Sequence, residues 1–161
     1  MKVLQVEVSD FLSQRSLAVV GVSRSGKKMG NAIYRMLKQH GYKLFPIHPA
    51  AETVEGDPCY RDFESLPEKV DGVVLCIPPV QTEEVLPRVF EAGIKRVWMQ
   101  QGSESYAAIR YCEKMGISAV HGQCILMFSE PVESIHRFHR FFWRLTGKYP
   151  YSENKSPAPA D

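Results

Sequence analysis

A chain of 161 residues is long enough for one domain that buries about two-thirds of its unfolded surface, and 44% hydrophobic with 24% charged residues is ordinary for a globule. A net charge of +2 is too small for a broad nucleic-acid footprint, and no apolar run is long enough to cross a bilayer. The expectation is a cytoplasmic protein with a small-molecule ligand and with neither nucleic acid nor membrane as partner. Four cysteines stand at 59, 76, 112 and 124 without a C-x-x-C pair, which matches neither a zinc site nor a disulfide framework, and no metal is expected.

In chain order, Ser9 or Asp10 is placed to cap a short leading helix through Phe11-Leu12. Leu17–Val22 reads as a parallel strand buried on both faces, and Gly21, Ser23, Ser25 and Gly26 let the backbone turn tightly after it. Met29, Ile33, Met36, Leu37 and His40 follow at helical spacing and predict a helix over Lys28–His40, stopped by Gly41. A strand, a turn and a helix in this order aim several unpaired helix-start N–H groups at one spot, which makes an anion site. Arg24, Lys27 and Lys28 add positive charge there, although a cation at a helix start opposes the dipole unless an anion is bound. A phosphorylated ligand is the expectation.

Further strands are predicted at Lys43–His48, Gly72–Ile77, Arg96–Met99 and Ile117–Val120, and further helices at Thr82–Ala92 and Glu104–Met115, ended by Gly93 and Gly116. Ala51–Tyr60 reads as a short hairpin around Gly56-Asp57, and Arg61–Leu66 as one helical turn before Pro67. The alternation makes the fold α/β, a Rossmann-like doubly wound, mainly parallel sheet with helices on both faces. In such a sheet the ligand lies beyond the carboxyl ends of the strands. That rule collects Ser23–Gly30, His48-Pro49, Pro78-Pro79, Gln100–Gly102 and His121–Cys124. Pro78-Pro79 either ends a strand and shapes the next turn or offers a rigid apolar wall to an adenine ring. Glu130-Pro131 starts a C-terminal helix over 131–145, with an apolar stripe of Val132, Ile135, Phe138, Phe142 and Leu145. Phe141 and Trp143 fall off that stripe and suit a homodimer contact. The domain is placed at 1–147, and 148–161 reads as a flexible tail.

Three ligands compete for the loop. Gly21-x-x-x-x-Gly26-Lys27 fits a P-loop, but Lys28 stands where Ser or Thr would hold Mg²⁺. Gly21-x-Ser23-x-x-Gly26 approximates an NAD fingerprint, but the second strand ends in His48-Pro49 rather than the acid that takes ribose hydroxyls. Without that acid the site suits a ribose carrying its own phosphate. The third reading rests on Gly21-Val22-Ser23 with Lys28, Gly30 and Asn31, then Gly41-Tyr42, Pro46-Ile47-His48-Pro49, Gly56, Cys59-Tyr60 and Leu66-Pro67. It continues through Asp71, Pro78-Pro79, Val97-Trp98-Met99-Gln100 and Cys124-Ile125. Over Phe11 to Phe128 this order resembles the small CoA-binding protein family, related to the amino-terminal CoA-binding domain of the succinyl-CoA synthetase alpha subunit. His48 departs from the asparagine usual in that family. The resemblance implies non-covalent CoA or acyl-CoA, with Gly21, Ser23, Arg24, Ser25, Gly26, Lys27, Lys28, Gly30, Asn31, His48, Pro49, Pro78, Pro79 and Cys124 around it. The chain length leaves no room for the synthetases' phosphohistidine and nucleotide-grasping domains, and no catalytic constellation is readable, so a stand-alone binding protein is expected. An NAD(P)-binding protein and a CoA-binding subunit of an acyl-CoA ligase are the alternatives.

Overall fold

Residues 5–128 are described by the computed structural model. In chain order the elements are α1 (Gln5–Leu12), β1 (Ser16–Val20), α2 (Met29–Gln39), β2 (Lys43–Ile47), β3 (Thr53–Val54), β4 (Asp57–Pro58), β5 (Gly72–Leu75), α3 (Pro79–Glu91), β6 (Arg96–Gln100), α4 (Tyr106–Met115) and β7 (Ser118–Gln123), followed by a 3₁₀ turn at Ile125–Met127. Every neighbouring pair in the five-stranded sheet β2-β1-β5-β6-β7 is parallel. The chain steps outward from β1 to β2, then returns past β1 to β5 and continues the other way. Strand order therefore reverses between β1 and β5, and a crevice opens there above the carboxyl ends.

Alternation along the strands sorts their side chains into two cores. Leu17, Val19, Val74, Trp98 and Val120 pack with Val8 and Phe11 of α1 and Ile33 and Leu37 of α2. Ala18, Val73, Leu75, Val97 and Met99 pack with Leu86 and Val89 of α3 and Ala108 and Cys112 of α4. Helices thus cover both faces. Each large apolar side chain removed from water contributes about 1.5–3 kcal/mol, and the short strands carry little else. Among the described residues no helix is long and apolar enough to cross a membrane.

Several expected boundaries move for identifiable reasons. β1 stops at Val20, not Val22, because Gly21 turns the chain at φ +100°. α3 begins at Pro79, not Thr82, since proline fits the first helical position, and Pro87 lies inside the same helix. α1 contains Ser9 and Asp10 instead of being capped by them, and Asp10 pairs with Arg96 at 2.7 Å. Over Arg61–Leu66 a single hydrogen-bonded turn forms and goes no further: the Leu66 N–H bonds the Phe63 carbonyl at 3.4 Å, and the Asp62 carboxylate accepts the Ser65 N–H at 2.8 Å. β7 runs on to Gln123 through a register shift opposite Trp98–Gln100, where Gly122 has φ +64°. The hairpin expected at Ala51–Tyr60 forms as β3–β4. The C-terminal helix over 131–145, its proposed homodimer contact and the tail lie outside the described residues.

Candidate functional site

The loop from β1 to α2 is built on two close backbone approaches. A Cβ on Gly21 would lie 2.1 Å from the Cys76 carbonyl oxygen, so β1 and β5 meet there without room for a side chain. A Cβ on Gly30 would lie 2.4 Å from the Gly21 carbonyl oxygen, so α2 starts directly against the end of β1. Only glycine allows the helix start to be drawn so near the strand end.

Asn31, fully buried, then fixes the loop. Its Oδ1 accepts the Ser23 N–H at 2.8 Å and the Ser23 hydroxyl at 3.0 Å, while its Nδ2 donates to the Ser23 carbonyl at 2.9 Å and to Glu55 Oε1 at 2.8 Å. Glu55 also pairs with Arg35 at 2.7 Å, and Arg35 donates to the Gly26 carbonyl. The Asn31 hydrogen bond, then Arg35, hold the Glu55 carboxyl below its usual range against the opposing effect of burial. Glu55 reaches this position from a left-handed turn residue, φ +52°, beside Gly56 at +83°. Next in the hairpin, Asp57 accepts from Tyr34 at 2.7 Å and pairs with Lys38 at 2.6 Å. The β3–β4 hairpin thereby clamps both α2 and the loop, a role that nothing in the sequence around Glu55 announces.

Beside this loop, a cavity of about 330 Å³ lies at the switch point. Its apolar wall comes from Val20, Ile47, Phe63, Ile77 and Val85, and its polar rim from Lys28, His48, Arg61, Gln81, Glu84 and Arg88. Lys28 is the N-cap residue of α2 and makes no side-chain cap. The first turns of α2, α3 and α4 contain no acidic residue of their own. The His48 Nδ1 accepts the Ala50 N–H at 3.1 Å, which puts the proton of the neutral ring on Nε2.

The family model for the CoA binding domain matches residues 15–130. The chain belongs to the CoA-binding domain family. It is 31% identical over 88 residues to the alpha subunit of an ADP-forming acetate–CoA ligase II from Pyrococcus furiosus, covering 54% of this chain and 19% of that one. It is 25% identical over 134 residues to the ADP-forming acetate–CoA ligase I of Archaeoglobus fulgidus, covering 77% of this chain and 20% of that one. Among solved structures, a Pyrococcus furiosus protein of unassigned role superposes with TM-score 0.68 at 36% identity, over 71% of this chain and 99% of that one. A dinucleotide-forming acetyl-coenzyme A synthetase from Ca. Korarchaeum cryptofilum, in complex with phosphate and ADP, superposes with TM-score 0.62 at 27% identity, over 70% of this chain and 26% of that one. The chain thus spans about a fifth of the length of these curated ligases.

Within this CoA-binding domain, Gly21, Lys28, His48 and Pro49 line the same cavity. Ser23, Ser25, Gly26 and Asn31 build the loop through their bonds to one another and to the hairpin, and Gly30 packs against Gly21. Arg24 and Lys27 are exposed on that loop. Pro78 and Pro79 open α3 and leave the wall to its later residues, Gln81, Glu84, Val85 and Arg88. Cys124 is half-buried against the core on the α1–α2 face, where its sulfur accepts Gln100 Nε2 at 3.0 Å, and it is not among the cavity residues. Gln100 also takes the Ile125 N–H, so its amide holds the 124–125 corner. Arg61, Glu84 and Arg88 were not among the residues collected from sequence, because they come from a turn and a mid-helix face rather than from a strand end. Among the described residues no group of three or more His, Cys, Asp and Glu could hold a metal.

Proposed function

We propose that this domain binds CoA or an acyl-CoA non-covalently, with the diphosphate on the Ser23–Gly30 loop and the nucleotide end in the switch-point cavity. The observation that carries the reading is the start of α2, drawn against β1 by Gly21 and Gly30 and opening beside the cavity at Lys28. Helix-start amides without intrahelical acceptors favour an anion there. Family membership makes CoA the fitting anion. Titration calorimetry with CoA, NADH and ATP in parallel tests the reading. CoA is expected to bind, and NADH binding well with none from CoA would end it. As a second reading, the domain serves as the CoA-binding part of an acyl-CoA ligase assembled with partner chains; its match to ligases several times its length favours this.

Lys28 gives a direct test. It is exposed, and none of the ion pairs among the described residues uses it, so Lys28→Glu is expected to leave thermal stability unchanged. Loss of one charge-assisted contact removes about 1.5–3 kcal/mol, which predicts a CoA affinity lowered about tenfold or more. Wild-type affinity in the variant would show Lys28 to be only solvated.

Cys124 is proposed to lie within reach of the ligand thiol. Burial pushes Cys76 and Cys112 up to about 12 and raises Cys59 as well, so these three remain thiols near neutral pH. Incubation with CoA disulfide is expected to give a CoA-mass adduct: the Cys124 thiolate attacks one sulfur, the S–S bond breaks and one CoA thiolate leaves. Intact-mass spectrometry should find the adduct in wild type and lose it in Cys124→Ser. An adduct that persists in the serine variant would assign it to another cysteine, and none in either protein would remove the thiol from the ligand's path.

A further inference from the structure

A second cavity, of about 540 Å³, opens at the opposite edge of the sheet, where β1 and β2 begin. It lies between the ends of two helices: Leu12–Arg15 lead from α1 into β1, and His40–Tyr42 lead from α2 into β2. It is larger than the switch-point cavity of about 330 Å³ and shares no residue with it. Three features of its lining are incomplete. Leu12, Tyr42 and Phe128 give it an apolar floor that is only half-buried. Arg15 is exposed and joins none of the ion pairs among the described residues. The His40 Nδ1 donates to the Met36 carbonyl at 2.7 Å, which leaves Nε2 of the neutral ring as an acceptor, and that atom is buried without a hydrogen-bond partner. An unmet buried acceptor costs stability until a donor reaches it.

The described chain ends on this wall. Phe128, its last residue, lines the cavity and sets its ring edge-on against Trp98 at 5.7 Å, so residue 129 leaves from the cavity itself. The sequence that follows complements each incomplete feature. Glu130 and Glu133 are the first charges after the exit, Val132, Ile135 and Phe138 open the predicted apolar stripe, and Ser129, Ser134 and Arg137 carry donors. Val132 is four residues beyond Phe128, at most about 14 Å of extended chain, so the stripe begins in the neighbourhood of the cavity. We propose that residues 129–142 dock on this cavity in the same chain. The stripe covers the Leu12–Tyr42–Phe128 floor, a carboxylate meets Arg15, and a donor reaches the His40 Nε2. The C-terminal segment is then an internal clip that joins the ends of α1 and α2 at the edge of the sheet remote from the ligand. This inference is independent of which ligand occupies the switch point.

Two measurements on the full chain test the clip. With the photo-cross-linker p-benzoylphenylalanine in place of Ser13, an exposed cavity residue, irradiation is expected to join position 13 to peptides within 129–145 of the same chain. An equal mixture of unlabelled and ¹⁵N-labelled protein separates the sources, since pairs of uniform label come from one chain and pairs of mixed label from two. Mixed pairs at the random frequency would mean that a second copy covers the cavity, and they overturn the proposal, as do cross-links that avoid 129–145. Hydrogen exchange gives the second readout, at the hydrogen-bonded amides of Ser13, Gln14, His40, Gly41 and Tyr42. In V132D/I135D/F138D these amides are expected to exchange at least about tenfold faster relative to those of β5 and β6, because local opening no longer has to lift the stripe off the cavity. An unchanged ratio overturns the clip. A loss as large in F141D/W143D, which leaves the stripe intact, overturns it as well.

Discussion

Gly21→Ala is expected to cost about 3 kcal/mol or more of stability and to abolish ligand binding at the loop. The new methyl would lie 2.1 Å from the Cys76 carbonyl oxygen and 2.6 Å from its carbonyl carbon, and the backbone would have to keep φ +100° with a side chain attached. The obstacle is backbone, which cannot rotate aside as a side chain does, so β1 and β5 would have to separate at their carboxyl ends. A loss of this size is a large fraction of the about 5–15 kcal/mol that holds a domain together. Gly30→Ala meets the Gly21 carbonyl oxygen at 2.4 Å and should act similarly. Since the two glycines touch each other, the double variant should cost less than the sum of the singles. Gly26→Ala is the contrast. Its nearest neighbour would be Glu55 Oε1 at 3.4 Å, leaving only the left-handed backbone, worth about 1–2 kcal/mol. Urea unfolding of the set, read at constant m-value, checks the order, and a Gly21→Ala protein as stable as wild type would refute the close approach.

Asn31→Asp is expected to be nearly as damaging, although it changes the side-chain volume very little. The amide nitrogen that donates to the Ser23 carbonyl and to Glu55 Oε1 becomes an oxygen facing two acceptors, one of them a carboxylate 2.8 Å away. Uncompensated charge at a fully buried position costs about 3–5 kcal/mol, and the loop loses its link to the hairpin. The pH dependence identifies the cause. Proximity to Glu55 and burial raise the introduced carboxyl in the folded state above its unfolded value, so the penalty is full at neutral pH and fades as pH falls through the raised folded value, vanishing below the unfolded one. Wild-type Glu55 has the opposite sign: its depressed carboxyl stabilises above the ordinary carboxylate range and loses that contribution in acid. The stability gap between variant and wild type should therefore narrow on acidification. A gap that stays constant with pH would mean a packing defect.

The fold was readable because its signals are local and periodic: strands too short and apolar to face water, and helices stopped by Gly41, Gly93 and Gly116. Element ends were less readable, since β1 ends where a glycine takes positive φ and β7 continues through a bulge, neither of which alters the hydrophobic pattern. The single turn expected over Arg61–Leu66 is reinforced by the Asp62 side chain bonding its own turn. In the site, the loop and the His48-Pro49 corner were legible because they follow strand ends directly. Glu55 and Asp57 were not, since their partners on α2 are 24 and 23 residues away for Asn31 and Tyr34, and no pattern in the intervening sequence encodes the pairing. Arg88 was hidden in the same way, as an ordinary exposed position on a helix until α3 is laid along the cavity.

Pro46 bears on how the molecule behaves in a crowd of its own kind. It pairs with Val19 across the ladder of β2, the outermost strand on that side, and its carbonyl accepts the Tyr60 N–H at 2.9 Å on the side away from β1. In a parallel strand a residue's amide and carbonyl point the same way, so the donor that proline lacks belongs to the outer rim, and the bonding to β1 loses nothing. An incoming foreign strand meets a rim with one donor missing and neighbouring groups already engaged by Tyr60. Sheet-to-sheet templating, the usual route from an exposed edge to aggregation, is opposed on this flank by Pro46 and the Tyr60 segment together, without weakening the ladder to β1.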